Sequence, residues 1–477
     1  MEPHDAQHSL RADALGLAND WVASVANVAP TSTVAFTLAL LVAAAGLAAP
    51  LAVLVVGILM TFCAVGYARL NAWQPHAGTP YVWVGRSVSP MLGYATGVLA
   101  ILAATVANIG NITLFGTYLL GIINPTGTFD NILVWVVSAA MMGIVIYIAI
   151  RGIRPSIRFQ TGIIVFEYTI VILFVLLALK REIIDAAAGT TAPSLAAFSI
   201  GTSPTGLAGL VTAGVICGFL YAGWEAPLVL GEESKDAHFN PGRAAILGMI
   251  FLTVWYTFLI LVFQGVTSQN DIAANKTDVL RFAGNLLLGD PLGRLLAIAV
   301  LSAVFATTQM QLTESSRVVF AMARERLLPV GLARVHATFR TPIVAGLVLG
   351  IIPPLALIPY LANQQATTAI GYVISADGLL YLAMYAAITL ACVWYYRRIL
   401  STGLRELLLH GVIPLIGGLS MLGIFVYGVS TQPFEVQVVS IVLVLACVVV
   451  AVVAKTVSSA PYFDQATVAH EVDAGRT

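Results

Sequence analysis

Residues 20–42 read DWVASVANVAPTSTVAFTLALLV, an apolar run of bilayer-spanning length with a proline and three hydroxyl residues at its centre. Pro30 has no backbone N–H, so a helix that passes through it loses a hydrogen bond. The hydroxyls of Thr31, Ser32 and Thr33 can satisfy the carbonyls that are freed. The run therefore predicts a membrane helix that is interrupted at this proline.

A second interruption is predicted in the sixth apolar span, where residues 218–227 read GFLYAGWEAP. Two glycines, a proline and a carboxylate within one short segment favour a break in a membrane helix. Two broken helices five spans apart indicate an inverted repeat of five plus five helices, and such paired breaks mark the binding sites of transporters. The alternative is a pair of ordinary proline kinks.

The composition is that of a membrane protein. Of the 477 residues, 59% are hydrophobic and 10% are charged, against about 25% charged in soluble domains. Too few polar side chains remain to cover a soluble fold, which excludes soluble enzymes and nucleic-acid-binding proteins. The net charge is zero, so no highly charged partner is indicated. The 4 cysteines lie far apart with no ligand spacing, so neither a disulfide nor a metal site is expected.

Charge-free runs and turn signals divide the chain into twelve predicted membrane helices, which makes the fold class an all-α integral membrane protein. The predicted spans lie near 20–42, 46–68, 90–120, 132–150, 161–180, 207–230, 245–266, 294–322, 342–360, 367–396, 411–430 and 436–455. The predicted divisions are an N-terminal segment (1–19), a twelve-helix domain (20–455) with a first repeat (20–180), a second repeat (207–396) and two C-terminal helices (411–455), and a disordered tail (456–477).

The basic residues predict the orientation of this bundle. With the N-terminus inside, all but five of the 23 Lys and Arg residues fall on the cytoplasmic side. The exceptions are Lys180, Arg181, Lys276, Arg281 and Arg294. We therefore expect a multi-pass protein of the plasma membrane with both termini in the cytoplasm.

Four motifs resemble those of the amino acid–polyamine–organocation (APC) permeases. The first two are HAGTPYVWV at 76–84 and SPMLGYATG at 89–97, which together are similar to one Gly-containing stretch of these permeases. The other two are FLYAGWE at 219–225, similar to helix 6, and SRVVFAMARERLLP at 316–329, similar to the end of helix 8. The resemblance covers residues 15–455 and identifies no substrate.

The resemblance implies a LeuT-type fold with alternating access, in which helices 1 and 6 unwind around the substrate. It implies substrate-binding residues in helix 1 and helix 6, namely Ala29, Pro30, Thr31, Ser32, Phe219, Tyr221, Ala222, Gly223 and Trp224. Most relatives carry a Gly-Ser-Gly-like segment in helix 1, and here Pro30 removes one of its amides. We expect the Thr31 and Ser32 amides to hold a substrate carboxylate at the N-terminal end of the second half-helix.

In helix 6, we expect free carbonyls of Phe219, Tyr221 and Ala222 to accept an ammonium group. The ring of Phe219 or Trp224 would then cap the ammonium through a cation–π contact. Aromatic side chains in membrane helices also serve as packing residues, which is the alternative for each ring.

Besides Asp20 at the first position of the first span, four acidic residues lie within predicted spans, where a charge is costly and commonly functional. Glu167 falls where some proton-driven relatives carry a lysine, so the resemblance suggests a proton-coupling residue; the alternative is a structural glutamate at the helix 1 break. Glu225 either contacts substrate or accepts structural hydrogen bonds near the helix 6 break. Asp377 is expected near the membrane interface, and Glu314 is expected to pair with Arg317 on one helix face.

These features predict a secondary active transporter of an amino acid or related amine, by proton-coupled symport or exchange, with no cofactor and no enzymatic activity. The predicted partners are the small-molecule substrate, the lipid bilayer and protons. The alternatives are a polyamine or organic cation exchanger of the same fold, and a channel or integral-membrane enzyme. Few buried acids are expected at the site, which favours a zwitterion over a dication.

Overall fold

A computed structural model describes residue 10 and residues 12–124, 129–275, 279–363, 366–458 and 460–465. Over this range the chain is almost entirely helical, and its only β-type pairing is an isolated bridge between Leu15 and Ser234. The predicted outer residue Lys276 lies outside the described residues, as do residues 466–477 of the predicted tail.

Eighteen α-helices lie within the described residues. They are α1 (Leu17–Val28), α2 (Pro30–Ala45), α3 (Ala49–Trp73), α4 (Thr79–Ser87), α5 (Pro90–Ile123), α6 (Asn131–Ile150), α7 (Ile153–Leu179), α8 (Leu207–Leu220), α9 (Ala226–Val229), α10 (Asn240–Phe263), α11 (Gln269–Ala274), α12 (Val279–Leu288), α13 (Arg294–Arg324), α14 (Ile343–Asn363), α15 (Ala366–Tyr396), α16 (Leu404–Glu406), α17 (Ile413–Thr431) and α18 (Phe434–Val457).

Both predicted interruptions are present. The span near 20–42 is two helices, α1 and α2, and the span near 207–230 is α8 followed by the short α9. Proline at the first turn sets the start of α2 and of α9, because that position needs no amide donor and a fixed φ suits the helix. The other predicted spans each coincide with one helix, although α7 and α10 begin several residues earlier than expected.

Nine stretches among the described residues are helices long and apolar enough to cross a membrane. Three shorter apolar helices lie at Leu207–Leu220, Val279–Leu288 and Ile343–Pro359. The outer helices, of which α18 is an example, carry many exposed apolar side chains, as a lipid environment requires. In contrast, α13 and α15 are mostly buried, so they form the centre of the bundle.

The break-containing helices lie against this centre. Helix α1 packs on α10 and α13, and α2 packs on α8 and α13. Helix α15 contacts α8, α3 and α5. The two interruptions are thereby brought to the interior of the bundle, where water cannot satisfy their freed backbone groups.

Several contacts bring distant segments together at one end of the bundle, which we call the terminal end. Leu15 pairs with Ser234, and the Ala77 amide donates to Glu232 at 3.0 Å. The hydroxyl of Tyr462 donates to a carbonyl of α4 at 2.8 Å. Two elements here were not predicted: helix α4, and a 3₁₀ turn at Pro461–Asp464 within the tail predicted to be disordered.

Candidate functional site

The interruption between α1 and α2 is built on one residue in a left-handed conformation. Ala29 has a φ of 49° and closes α1 with its amide bonded to the Val25 carbonyl. Because Pro30 has no N–H, Thr31 carries the first free amide of α2. The hydroxyls of Ser32 and Thr33 both donate to the Ala29 carbonyl at 3.1 Å, but this carbonyl also accepts the Thr33 amide and is not freed by the proline. The carbonyls of Ala26 and Asn27, which lose their helical donors at the break, accept the Thr307 hydroxyl of α13 at 3.1 and 2.8 Å.

The Thr31 amide is engaged by the protein itself. It donates to Oε1 of Glu167 on α7 at 3.1 Å, and both residues are buried. Thr31 was predicted to offer this amide to a substrate carboxylate, whereas here a carboxylate of the chain occupies that position. The Glu167 side chain therefore lies directly at the interruption between α1 and α2, which we call the helix 1 break.

The interruption between α8 and α9 depends on Gly223. Its φ is 102°, a conformation that residues with a side chain rarely adopt. A Cβ at this position would lie 2.7 Å from Nδ2 of Asn27 and 3.2 Å from its carbonyl oxygen. Glycine is therefore required both by the backbone conformation and by the close approach of α1.

Side chains of α1 hold the two interruptions together. The Asn27 Nδ2 group donates to the Gly223 carbonyl at 2.9 Å, and the Ser24 hydroxyl donates to the Trp224 carbonyl at 2.8 Å. The Thr307 hydroxyl on α13 donates to the Asn27 carbonyl at 2.8 Å. The breaks thus form one hydrogen-bonded unit at the α13 surface.

Of the three carbonyls predicted to accept an ammonium group, one already accepts a hydrogen bond from the described part of the protein and two do not. The Phe219 carbonyl already accepts the Ala222 amide at 3.1 Å, so it is not free. Among the described residues, no hydrogen bond reaches the carbonyls of Tyr221 and Ala222. These two oxygens remain candidates for a cationic group.

The aromatic side chains predicted at this break are buried, and two of them pack against other rings. The Trp224 ring lies 4.9 Å from Tyr67 and 5.3 Å from Tyr385, measured between centroids. The Tyr221 hydroxyl donates to the Val53 carbonyl at 2.9 Å, which directs that side chain toward α3. The Tyr221 side chain is therefore a packing group, and its backbone carbonyl remains the candidate for the site.

Three carboxylates lie close together beside the interruption between α8 and α9, which we call the helix 6 break because it falls in the sixth predicted span. Glu225 accepts a hydrogen bond from the Tyr385 hydroxyl at 2.6 Å, and Glu314 accepts one from Asn27 at 2.7 Å. Asp377 is 0% exposed, and neither of its oxygens has a hydrogen-bond partner. Glu225 lies within electrostatic range of both Glu314 and Asp377, and Glu225 and Glu314 line one internal cavity.

This cluster overturns two expectations. Glu314 does not pair with Arg317, because that guanidinium is bound to Glu233 at 3.0 Å in a buried ion pair. Asp377 is enclosed within the bundle. The expectation of few buried acids at the site is also wrong, since Glu167, Glu225 and these two carboxylates all surround the breaks.

Sequence reasoning missed Ser24, Asn27, Thr307 and Tyr385, which position the breaks. A signal for the α13 face was present, because residues 307–316 read TTQMQLTESS in the middle of a predicted span. Such a polar run inside a membrane helix indicates a face turned toward the bundle interior.

Similarity to known proteins shows the family to which this chain belongs. A family model described as amino acid permease matches residues 21–463. The chain belongs to this amino acid permease family. The APC resemblance of the four motifs is thereby confirmed for nearly the whole length of the permease.

Relatives of this permease carry different cargoes. It is 24% identical to the low-affinity putrescine importer PlaP of Escherichia coli (strain K12), over 63% of this chain and 65% of the importer. It is 24% identical to the methylthioribose transporter of Bacillus subtilis (strain 168), over 65% of this chain and 66% of that transporter. It is 30% identical to the serine/threonine exchanger SteT of Bacillus subtilis (strain 168), over 27% of this chain and 30% of the exchanger. Family membership by itself therefore assigns no cargo to this permease.

Proposed function

We propose that this permease is a secondary active transporter that moves an amino acid or related amine across the plasma membrane by alternating access. The observation that carries the proposal is the pairing of two interrupted helices, in which Asn27 bridges the Gly223 carbonyl and the Glu314 carboxylate. Backbone and carboxylate oxygens that converge on interrupted helices are typical of transporter sites. The family membership and the cargoes named for its relatives support the same function.

We propose further that the bundle consists of twelve membrane helices, with a five-plus-five inverted repeat of LeuT type and two additional C-terminal helices. The positions of the two interruptions, in the first and the sixth predicted span, support this arrangement. The distribution of basic residues supports cytoplasmic termini.

We assign proton coupling to Glu167. Its carboxylate holds the Thr31 amide at the helix 1 break, so gain of a proton weakens that hydrogen bond and loss of the proton restores it. A change of charge at this point therefore alters the stability of the break itself. Glutamine has the same shape and an acceptor oxygen but does not titrate, so it separates coupling from a purely structural role.

The test of transport uses the purified full-length protein in proteoliposomes. We expect saturable uptake of a labelled amine or amino acid that is accelerated by unlabelled substrate on the opposite side. Conductance without saturation would indicate a channel, and chemical conversion of the cargo would indicate an enzyme. Either result would overturn the transporter assignment.

The test of coupling uses Glu167→Gln in the same proteoliposomes. We expect this variant to bind substrate and to retain exchange, while the acceleration of uptake by an inward proton gradient is lost. The matched control is Glu435→Gln, because Glu435 is exposed at the start of α18. Unchanged acceleration in Glu167→Gln would remove Glu167 as the coupling residue.

A further inference from the structure

We propose that the cargo of this permease is an aliphatic amine without a carboxylate, and that Glu167 takes the place that a substrate carboxylate would occupy. The inference rests on the transport function proposed above and narrows its substrate class. Two independent parts of the site carry it: the anion position at the helix 1 break and the carboxylates at the helix 6 break.

The anion position is partly filled by the chain. In the first turn of α2, Pro30 offers no amide, the Thr31 amide binds Glu167 at 3.1 Å, and the Thr33 amide binds the Ala29 carbonyl at 3.1 Å. Among the described residues, the Ser32 amide is the one in this turn without a hydrogen bond. A second carboxylate brought to the Ser32 amide would lie beside Glu167 and, while Glu167 is ionised, would face its negative charge. Like charges in a medium of low polarity repel strongly, so a substrate carboxylate is disfavoured here.

The opposite part of the site holds three buried carboxyl groups, those of Glu225, Glu314 and Asp377. Glu225 and Glu314 are each 8% exposed or less and each accept one hydrogen bond, from Tyr385 and Asn27 respectively. Asp377 is fully buried with both oxygens unpartnered. A buried carboxylate without a compensating charge or hydrogen bond is costly, so a site of this kind favours a cation as its ligand.

No basic side chain in the described part of the chain forms an ion pair with this cluster. Arg317 is the nearest in sequence to Glu314, but it is bound to Glu233 and to the Thr313 carbonyl, both at 3.0 Å. An ammonium group of the substrate supplies the missing positive charge. The carbonyls of Tyr221 and Ala222 add two neutral acceptors on the same segment as Glu225.

The test compares matched pairs that differ only in the carboxylate: putrescine with ornithine, and isopentylamine with leucine. Binding to the purified full-length permease is measured by calorimetry, and counterflow is measured in proteoliposomes. We expect the amine of at least one pair to bind at least about tenfold more tightly than its amino acid. Leucinamide, which keeps the size of leucine without its negative charge, is expected to bind more tightly than leucine.

Two variants assign the effect to the named residues. Asp377→Asn is expected to weaken amine binding by about tenfold or more, whereas the exposed control Glu435→Gln leaves it unchanged. Glu167→Ala frees the Thr31 amide, and we expect it to gain affinity for the amino acid of the pair. If Glu167→Ala does not fold, Glu167→Gln removes the same charge and is expected to narrow the difference within the pair.

The outcomes separate this inference from the transport proposal. Amino acids that bind as tightly as their amines, or more tightly, would overturn the substrate class while counterflow still supports transport. Amines that bind without counterflow would support the substrate class and overturn transport. Absence of binding by every amine would overturn the inference.

Discussion

At the scale of single residues, Gly223 has a backbone φ of 102° and lies against Asn27, so a side chain there meets a conformational and a steric obstacle. Holding a residue with a Cβ in a left-handed backbone conformation costs about 1–3 kcal/mol. Displacement of α1 by the new side chain adds to this cost. We expect Gly223→Val to abolish ligand binding and transport, because the two interruptions can no longer approach each other. The control is Gly143→Val, since a Cβ at Gly143 meets nothing within 4 Å. Unchanged ligand affinity in Gly223→Val would mean that the site lies elsewhere.

A second residue-scale prediction concerns His76 at the terminal end. Burial lowers the pKa of His76 from 6.5 to about 4, and the neighbouring Arg324 and Arg86 act in the same direction against the opposing charge of Glu232. The hydrogen bonding also agrees with a neutral imidazole, because Nδ1 of His76 accepts the Gly78 amide at 2.9 Å and must therefore be unprotonated.

The sign of the pH effect follows from this lowered pKa. Between pH 6.5 and about pH 4 the unfolded chain binds a proton that the folded chain does not, so stability falls as the pH falls through this range. The slope from one such group is at most about 1.4 kcal/mol per pH unit. We expect the Tm of the purified protein to fall between pH 7 and pH 4.5, and to fall less in His76→Gln. Parallel curves for the two proteins would contradict the prediction.

At the scale of elements, the turn at Pro461–Asp464 packs into the angle between α4 and α5. Tyr462 is buried, and its hydroxyl donates to the Tyr81 carbonyl at 2.8 Å. Gly85 and Gly93 make room for this hydroxyl, since a Cβ at either position would clash with it. The packing therefore depends on two residues without side chains and on one tyrosine from the tail.

We expect Tyr462→Phe to lower the free energy of unfolding by about 1 kcal/mol, through loss of one buried hydrogen bond. Gly93→Ala is expected to be more destabilising, by about 1–3 kcal/mol, because its Cβ also meets the backbone of Gly85. The measurement is the Tm in detergent, with Gly143→Ala as the control. Equal stability of Gly93→Ala and Gly143→Ala would show that the turn does not pack here.

At the scale of the whole molecule, the bundle is tight enough to exclude reagents from its cysteines. Cys63, Cys217, Cys392 and Cys447 are free and buried, and they are distributed over α3, α8, α15 and α18. Thiols enclosed by apolar neighbours have little access to solvent, so they are unreactive toward polar reagents.

We expect a membrane-impermeant maleimide to label none of the four cysteines in the folded protein and all of them after denaturation in detergent, as read by mass spectrometry. Ser401→Cys is the positive control, because Ser401 is exposed. Its labelling without denaturation shows that the reagent is active. Labelling of a native cysteine at the same rate as Ser401→Cys would contradict the packing described here.

The sequence by itself determined the features that depend on local chemistry. Apolar runs of spanning length predicted the helices, since a bilayer sets the length of a span. Pro30 and the Gly-rich segment around Gly223 predicted the two interruptions, because a missing amide or a left-handed φ acts at its own position in the chain. The same reasoning identified Glu167, Glu225 and Asp377 as intramembrane charges of interest.

Only the tertiary structure decided which of the buried carboxylates has a hydrogen-bond partner and which residue supplies it. Arg317 could pair with Glu314 three residues away, yet it binds Glu233, which is 84 positions distant. Glu314 is bound by Asn27 across 287 positions, and the Thr31 amide is taken by Glu167 across 136 positions. A buried polar group must find a partner wherever the packing of helices brings one, and that choice depends on the whole bundle. For this reason the sequence predicted a substrate carboxylate at the helix 1 break, whereas the fold places the protein's own carboxylate there.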